Sequence, residues 1–323
     1  MIRKKKLWGA VILLGIPLLL LGGYYWWGYS REETITSGET TRRYRIHLPL
    51  SRQGKEKIPL VVILHGYGDH PRFLEWYSGF SSKADKEKFA VVYPYGTAGK
   101  ADSALSWNAG FCCASALANN IDDVAFIKKV ISDAMEKNNL DKTRVYIGGF
   151  SNGAMMAGLF ADESPGTVAA AGMVSASVGG QSPGSPEYLK FKSLVSPVPV
   201  ILFHGEKDVA VPYEGGVNKY YRIPALASFE SFKASVSFWI NQNQCRKEDD
   251  RKLANGVEMR TASDCRGGTE VVAISVPDRG HIWFGSLIET LIYGQIKGVS
   301  ATDEMWNFFQ KYPRNVDLMN LGV

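Results

Sequence analysis

The chain has 323 residues, 45% of them hydrophobic and 21% charged, which gives enough apolar side chains for a large buried core and excludes a disordered chain. It carries 37 Lys and Arg against 32 Asp and Glu, but four of the basic residues are Arg3, Lys4, Lys5 and Lys6, and the remainder is almost neutral. That balance leaves no basic patch dense enough for nucleic acid, so a nucleic-acid partner is excluded.

In chain order, residues 7–30 contain no charged side chain. About 20 apolar residues in a helix cross a bilayer core, and Tyr24, Tyr25, Trp26 and Trp27 fall where an interfacial aromatic belt would lie. Residues 7–29 therefore read as a transmembrane helix behind a basic cytoplasmic end at 1–6. The bulky aromatics after Gly22 and Gly23 favour an uncleaved signal anchor over a cleaved, secreting signal peptide. Either reading puts the rest of the chain on the periplasmic or extracellular side, because the basic end stays in the cytoplasm. Residues 30–41 are polar and read as a linker, leaving 42–323 as one domain.

Within that domain, strand-like apolar runs at 43–48, 59–64, 89–94, 144–148, 168–175, 199–204 and 270–276 alternate with helical patterns. That order predicts an α/β fold, a mostly parallel sheet with helices on both faces. The clearest helix is 121–138, with Asn120 as its candidate cap, Asp122 and Asp123 at its positive end, and Val124, Ile127, Ile131 and Met135 on one face. A second helical run spans 229–244, and residues 179–196, rich in Gly, Ser and Pro, read as a surface loop.

Gly149-Phe150-Ser151-Asn152-Gly153 joins the run at 144–148 to a helical pattern at 152–163. A serine on such a sharp turn is held out where a carbonyl can reach it, and the flanking glycines make the turn sterically open. In α/β-hydrolases the acid and the histidine come later in that order, each after a strand. Asp208 comes after the run at 199–204 and His281 after the run at 270–276. Upstream, 60–64 leads into His65-Gly66-Tyr67-Gly68, where this fold supplies an oxyanion-hole amide, so the N–H groups of Tyr67 and Asn152 are the candidate donors.

Further blocks accompany these residues: Tyr44 to Pro49, Val91 to Pro94, Ser106 to Gly110 with Cys112 and Cys113, Asp122 to Val124, His204-Gly205 with Val211 to Tyr213, Gly280-His281 with Trp283, and Ala301-Thr302 with Trp306 to Phe309. From residue 41 to 313 the chain resembles the polyhydroxybutyrate depolymerase and feruloyl esterase family, secreted α/β-hydrolase esterases grouped with acetylxylan esterases. The resemblance implies a serine carboxylic-ester hydrolase with Ser151 as nucleophile, His281 as base and Asp208 as orienter. It also puts Trp107, Asn108 and Trp283 near the serine as candidate substrate-binding residues. Tyr67 stands where relatives usually carry a small residue and Phe284 where many carry proline, so pocket shape departs from the family. The expected substrates are short-chain, feruloyl, acetyl or hydroxybutyrate-oligomer esters, with no cofactor. A polyhydroxybutyrate depolymerase proper, a serine peptidase and a non-catalytic surface binding protein of the same fold are the alternatives.

Of the remaining titratable groups, His65 and His204 precede glycines at strand ends and read as loop braces, while His47 and His70 read as structural or solvated. Glu206, Glu214 and Asp278 are the other acids near the site loops. Zinc is not expected: no two histidines have helical ligand spacing and the four cysteines form no paired C-x-x-C sites. A Cys245–Cys265 disulfide would staple the segment leading to His281. Cys112 and Cys113 are adjacent and either bond to each other or stay reduced, and four cysteines allow three pairings. Residues 284–300 read either as a lid over His281 or as a packed excursion.

Overall fold

The computed structural model describes residues 30–314 apart from 38–39, 54–55, 100–103, 165, 183, 193–195, 220–226 and 296. The strands in chain order are β1 (Ser30–Ser37), β2 (Thr40–His47), β3 (Leu60–Leu64), β4 (Ala90–Pro94), β5 (Val145–Phe150), β6 (Ala170–Val174), β7 (Gly179–Gln181), β8 (Leu189–Lys190), β9 (Val200–Gly205), β10 (Gly216–Val217), β11 (Ser228–Phe229), β12 (Lys247–Lys252), β13 (Glu258–Ser263) and β14 (Val271–Val276). Ten of them form one sheet in the order β1-β2-β4-β3-β5-β6-β9-β14-β13-β12. Its centre, from β4 to β14, is parallel, and the two strands at each edge run antiparallel.

Alternation along the central strands divides the core into two layers, as the period of two requires. Leu60, Val62, Leu64, Val200 and Leu202 face one side. Val61, Ile63, Ile201 and Phe203 face the other. The first layer is covered by the helices Asp123–Asn138, Asn152–Glu163 and Phe232–Asn243. The second is covered by Pro71–Ser78, Phe80–Glu87 and Ala301–Phe309. Helices on both faces of a mostly parallel sheet are what the alternating pattern predicts.

Several details differ from the sequence reading. The expected linker at 30–41 is instead β1 and the start of β2, paired residue for residue from Ser30 opposite His47 to Ser37 opposite Thr40. Its polar composition is that of an edge strand whose charges find partners: Glu32 with Arg43 at 2.8 Å and Glu33 with Lys137 at 3.2 Å. Asp122, not Asn120, caps the helix Asp123–Asn138, accepting from the Ala125 N–H at 2.8 Å. The segment at 179–196 is no plain loop, since β7 and β8 pair within a four-stranded sheet of order β10-β11-β7-β8. The expected membrane helix at 7–29 lies outside the described residues, and among the described residues no helix is long and apolar enough to cross a membrane.

Candidate active site

Ser151 sits at the turn from β5 to the helix Asn152–Glu163 with φ 54° and ψ −124°. A non-glycine residue there is strained by about 1–3 kcal/mol. The strain is held by the ladder around it: the Ser151 N–H donates to the Val174 carbonyl at 2.9 Å, and the Ser151 carbonyl accepts from Ala154 and Met155 at 2.9 Å each. The turn also needs the two glycines. A Cβ on Gly149 would lie 2.5 Å from the Gly153 carbonyl oxygen, and one on Gly153 would collide with the carbonyls of Leu64 and His65.

The loop after β3 therefore passes directly beside the serine, and a Cβ on Gly66 would stand 3.4 Å from Ser151 Cβ. Tyr67 is half-buried in that loop, and Asn152 is the first helical residue, where backbone N–H groups have no intrahelical acceptor. His65 fixes the loop: its Nδ1–H donates to the Gly66 carbonyl at 2.8 Å and its Nε2 accepts from the Gly96 N–H at 2.9 Å. Burial pushes its pKa down to about 4, the Gly66 hydrogen bond opposing only in part. It is a neutral brace.

His281 and Asp208 meet across the ends of β14 and β9, with Nδ1 of the histidine 2.7 Å from Oδ2 of the aspartate. Because a carboxylate only accepts, Nδ1 carries the proton, so in the neutral ring the lone pair lies on Nε2. The other oxygen, Oδ1, accepts from the N–H groups of Ala210 and Val211 at 2.9 Å each. His204 Nε2 donates to the Val211 carbonyl at 2.8 Å and lies 3.5 Å from Asp208 Oδ2. Burial by itself would raise the Asp208 pKa, but the His281 charge and the hydrogen bonds from His204 and His281 outweigh it and hold the carboxyl well below the usual range. Glu206, Glu214 and Asp278 are exposed, and Asp278 is drawn away to Lys207 at 2.6 Å.

The serine turn and the histidine loop are joined by Phe150, whose ring packs at a tilt against that of His281, centroids 4.8 Å apart. Behind them Tyr77, Phe80 and Trp283 form an aromatic cluster with Phe150.

The candidate substrate-binding residues each hydrogen-bond to a neighbouring loop. Trp107 is fully buried and its Nε1–H donates to the His65 carbonyl at 2.9 Å. Trp283, 2% exposed, donates to Thr302 Oγ1 at 3.0 Å. Asn108 donates its main-chain N–H to Asp123 and its side-chain N–H to the Ile121 carbonyl. The polar atoms of these side chains hold neighbouring loops to one another. A cavity of about 620 Å³, lined by Arg42, Tyr95, Thr97, Leu105 and Asn120 among others, touches none of Ser151, Asp208 and His281.

The remaining histidines are structural: His47 pairs with Asp85 at 3.0 Å and His70 caps the helix Pro71–Ser78. Cys245 is paired with Cys265, and the sulfurs of the adjacent Cys112 and Cys113 face each other. No group of three or more His, Cys, Asp or Glu side chains that could hold a metal occurs among the described residues. After Phe284 the helix Leu287–Tyr293 leaves Leu287, Leu291 and Ile292 exposed and is tied to the His281 loop through Arg279 and Glu289, a pair that no sequence motif signals.

A mostly parallel sheet that presents a strained serine after its central strand, with an acid–histidine pair after two later strands, is the architecture of the α/β-hydrolases. The phospholipase/carboxylesterase family model matches residues 50–235, and the chain belongs to this family. It is 28% identical over 270 residues to NocK of Nocardia uniformis subsp. tsuyamanensis, a protein named as an esterase, covering 79% of this chain and 74% of NocK. It is 23% identical to feruloyl esterase B of Piromyces equi, covering 74% of this chain but only 42% of that longer protein. The fold is similar to that of the acetyl xylan esterase from Aspergillus awamori, with TM-score 0.56 at 15% identity over 87% of this chain and 99% of that one. Family and relatives together assign the chain to the carboxylic-ester hydrolases.

Proposed function

We propose that the chain hydrolyses carboxylic esters through a serine acyl-enzyme. Ser151 attacks the ester carbonyl while His281 Nε2 takes its proton, and the N–H groups of Tyr67 and Asn152 bind the oxyanion of the tetrahedral intermediate. Collapse of that intermediate expels the alcohol with the proton from His281. Water then attacks the acyl-enzyme by the same route in reverse, releasing the acid and free Ser151. Asp208 stays ionised, holding His281 in the tautomer that leaves Nε2 basic.

The observation that carries this reading is the 2.7 Å His281–Asp208 contact, with the His281 ring packed on Phe150, the neighbour of Ser151. Acetyl, feruloyl and hydroxybutyrate-oligomer esters are the substrate classes that the family resemblance favours. The uncharged run at 7–30 behind Arg3 to Lys6 supports delivery across a membrane with the helix retained as an anchor.

The test is hydrolysis of nitrophenyl acetate, methyl ferulate, acetylated xylo-oligosaccharides and hydroxybutyrate oligomers by the full chain beside Ser151→Ala. Turnover lost by at least about 10³-fold in the variant supports the reading, and the best ester names the substrate. Equal rates in the two proteins overturn it.

A further inference from the structure

The loop that carries His281 is gripped on both sides by one short stretch of chain. Glu289, in the helix Leu287–Tyr293, has no exposed surface. Its Oε1 accepts from Arg279 Nε at 2.6 Å and its Oε2 from the Gly285 N–H at 2.7 Å. Arg279, 3% exposed, also donates through Nη2 to the Gln295 carbonyl at 2.5 Å, and its guanidinium lies 4.6 Å from the centre of the Tyr293 ring. The Tyr293 hydroxyl in turn accepts from the Gly280 N–H at 2.8 Å. Residues 279, 280 and 285 are thus all fixed by residues 289 to 295, and His281 lies between them.

The same grip reaches the acid. The Arg279 carbonyl accepts from the Lys207 N–H at 2.8 Å, one residue before Asp208. Gly205 approaches so closely that a Cβ there would collide with the Arg279 carbonyl and lie 2.6 Å from that of Gly280. A shift of Arg279 therefore moves the main chain on both sides of the His281–Asp208 contact.

A buried ion pair is a poor way to stabilise a fold, since apolar residues of similar volume often do as well. Its charge-assisted, directional hydrogen bonds do define geometry well. We propose that Glu289, acting through Arg279 and supported by Tyr293, is a positioning residue that sets the register of His281 against Asp208. The inference rests on the acyl-enzyme reading for its kinetic consequence but not for its structural one.

The experiment uses the full chain labelled with ¹⁵N-histidine, with the His281 ring signals assigned by their loss in His281→Asn. The ring ¹⁵N shifts report the tautomer that Asp208 enforces. Glu289→Gln retains the shape and removes the charge. Tyr293→Phe removes one half-buried hydroxyl and reports on the same grip if Glu289→Gln does not fold. The expected result is a mixed tautomer at His281, with kcat on the best ester lower by about 10- to 100-fold and KM within about twofold. Wild-type ring shifts and kcat, even in a variant of lowered melting temperature, overturn the proposal and leave the pair as ordinary packing. Active wild type with undisturbed His281 shifts in the variants sinks the positioning role alone. Disturbed shifts in a protein that hydrolyses no ester sink the acyl-enzyme reading alone.

Discussion

Asn152 is bonded at both ends of its side-chain amide to the main chain of Trp107, Oδ1 accepting from the Trp107 N–H at 2.8 Å and Nδ2 donating to its carbonyl at 3.0 Å. One residue thereby offers its backbone N–H to the proposed oxyanion hole and ties the helix that carries it to the loop behind His65. Asn152→Ala keeps the backbone donor but leaves the buried Trp107 N–H unpaired, while the Trp107 carbonyl keeps the Cys113 N–H at 3.1 Å, a loss of about 1–3 kcal/mol. Denaturant unfolding should show that loss. Turnover should fall too, because the donor is no longer fixed, and unchanged turnover in the folded variant would mean that the backbone alone sets the donor.

Asp208→Asn should keep the fold, since the new amide oxygen can still accept from the Ala210 and Val211 N–H groups. Its amide nitrogen would face His281 Nδ1, where two donors cannot bond, and the imidazole would turn to the other tautomer. A drop in kcat of about 10⁴-fold is expected, with a melting temperature close to wild type. A drop of less than tenfold would mean that another group orients His281.

His65 links stability to pH. Its folded pKa of about 4 lies below the ordinary value of 6.5, so between these values the unfolded chain binds the proton that the buried ring refuses. The stabilisation is complete above pH 6.5 and is lost as pH falls toward 4, amounting to about 3 kcal/mol in all. His65→Gln should be less stable than wild type at pH 7 and lose less over that interval. Urea titrations at pH 7, 5.5 and 4.5 measure both slopes, and parallel slopes would show that His65 is not the group responsible.

The Cys245–Cys265 bond closes a separation of 20 residues that contains β12 and β13. Replacing both cysteines by alanine should lower unfolding stability by about 3 kcal/mol in the chain-entropy model. Both lie at the edge of the sheet rather than at the serine turn, so ester turnover at 25 °C should stay within about twofold. A large loss of turnover in the folded variant would tie this edge to the site.

How much of the molecule is legible in its sequence depends on where the information lies. All seven apolar runs read as strands are strands, six of them because a central parallel strand is buried on both faces and betrays itself by composition, and β2 because its second half is buried. β1, β12 and β13 escape the same reading: their side chains are polar, and what makes them strands is pairing with neighbours distant in sequence. The strand-end positions of Ser151, Asp208 and His281 are legible because a strand end, a glycine and a reactive residue fall together in one short stretch. The N–H acceptors of Trp107 and Trp283 are not, since the His65 carbonyl and Thr302 Oγ1 lie far from them in sequence. Arg279 and Glu289 are ten residues apart on different elements. No local pattern records that they touch.

The two outer strands of the large sheet have a consequence for the behaviour of the molecule in a crowd. An unpaired strand edge invites the backbone of a second molecule to add to it. β12 meets solvent with Lys247, Glu248, Asp249, Asp250, Arg251 and Lys252, a charge at every position and every residue exposed. A strand laid along it would strip water from those charges, and no apolar face is there to compensate. At the opposite edge β1 offers Arg31, Glu32 and Glu33. The sheet is thereby protected at both ends against growing into an aggregate, and the cost falls on residues that contribute nothing to the core.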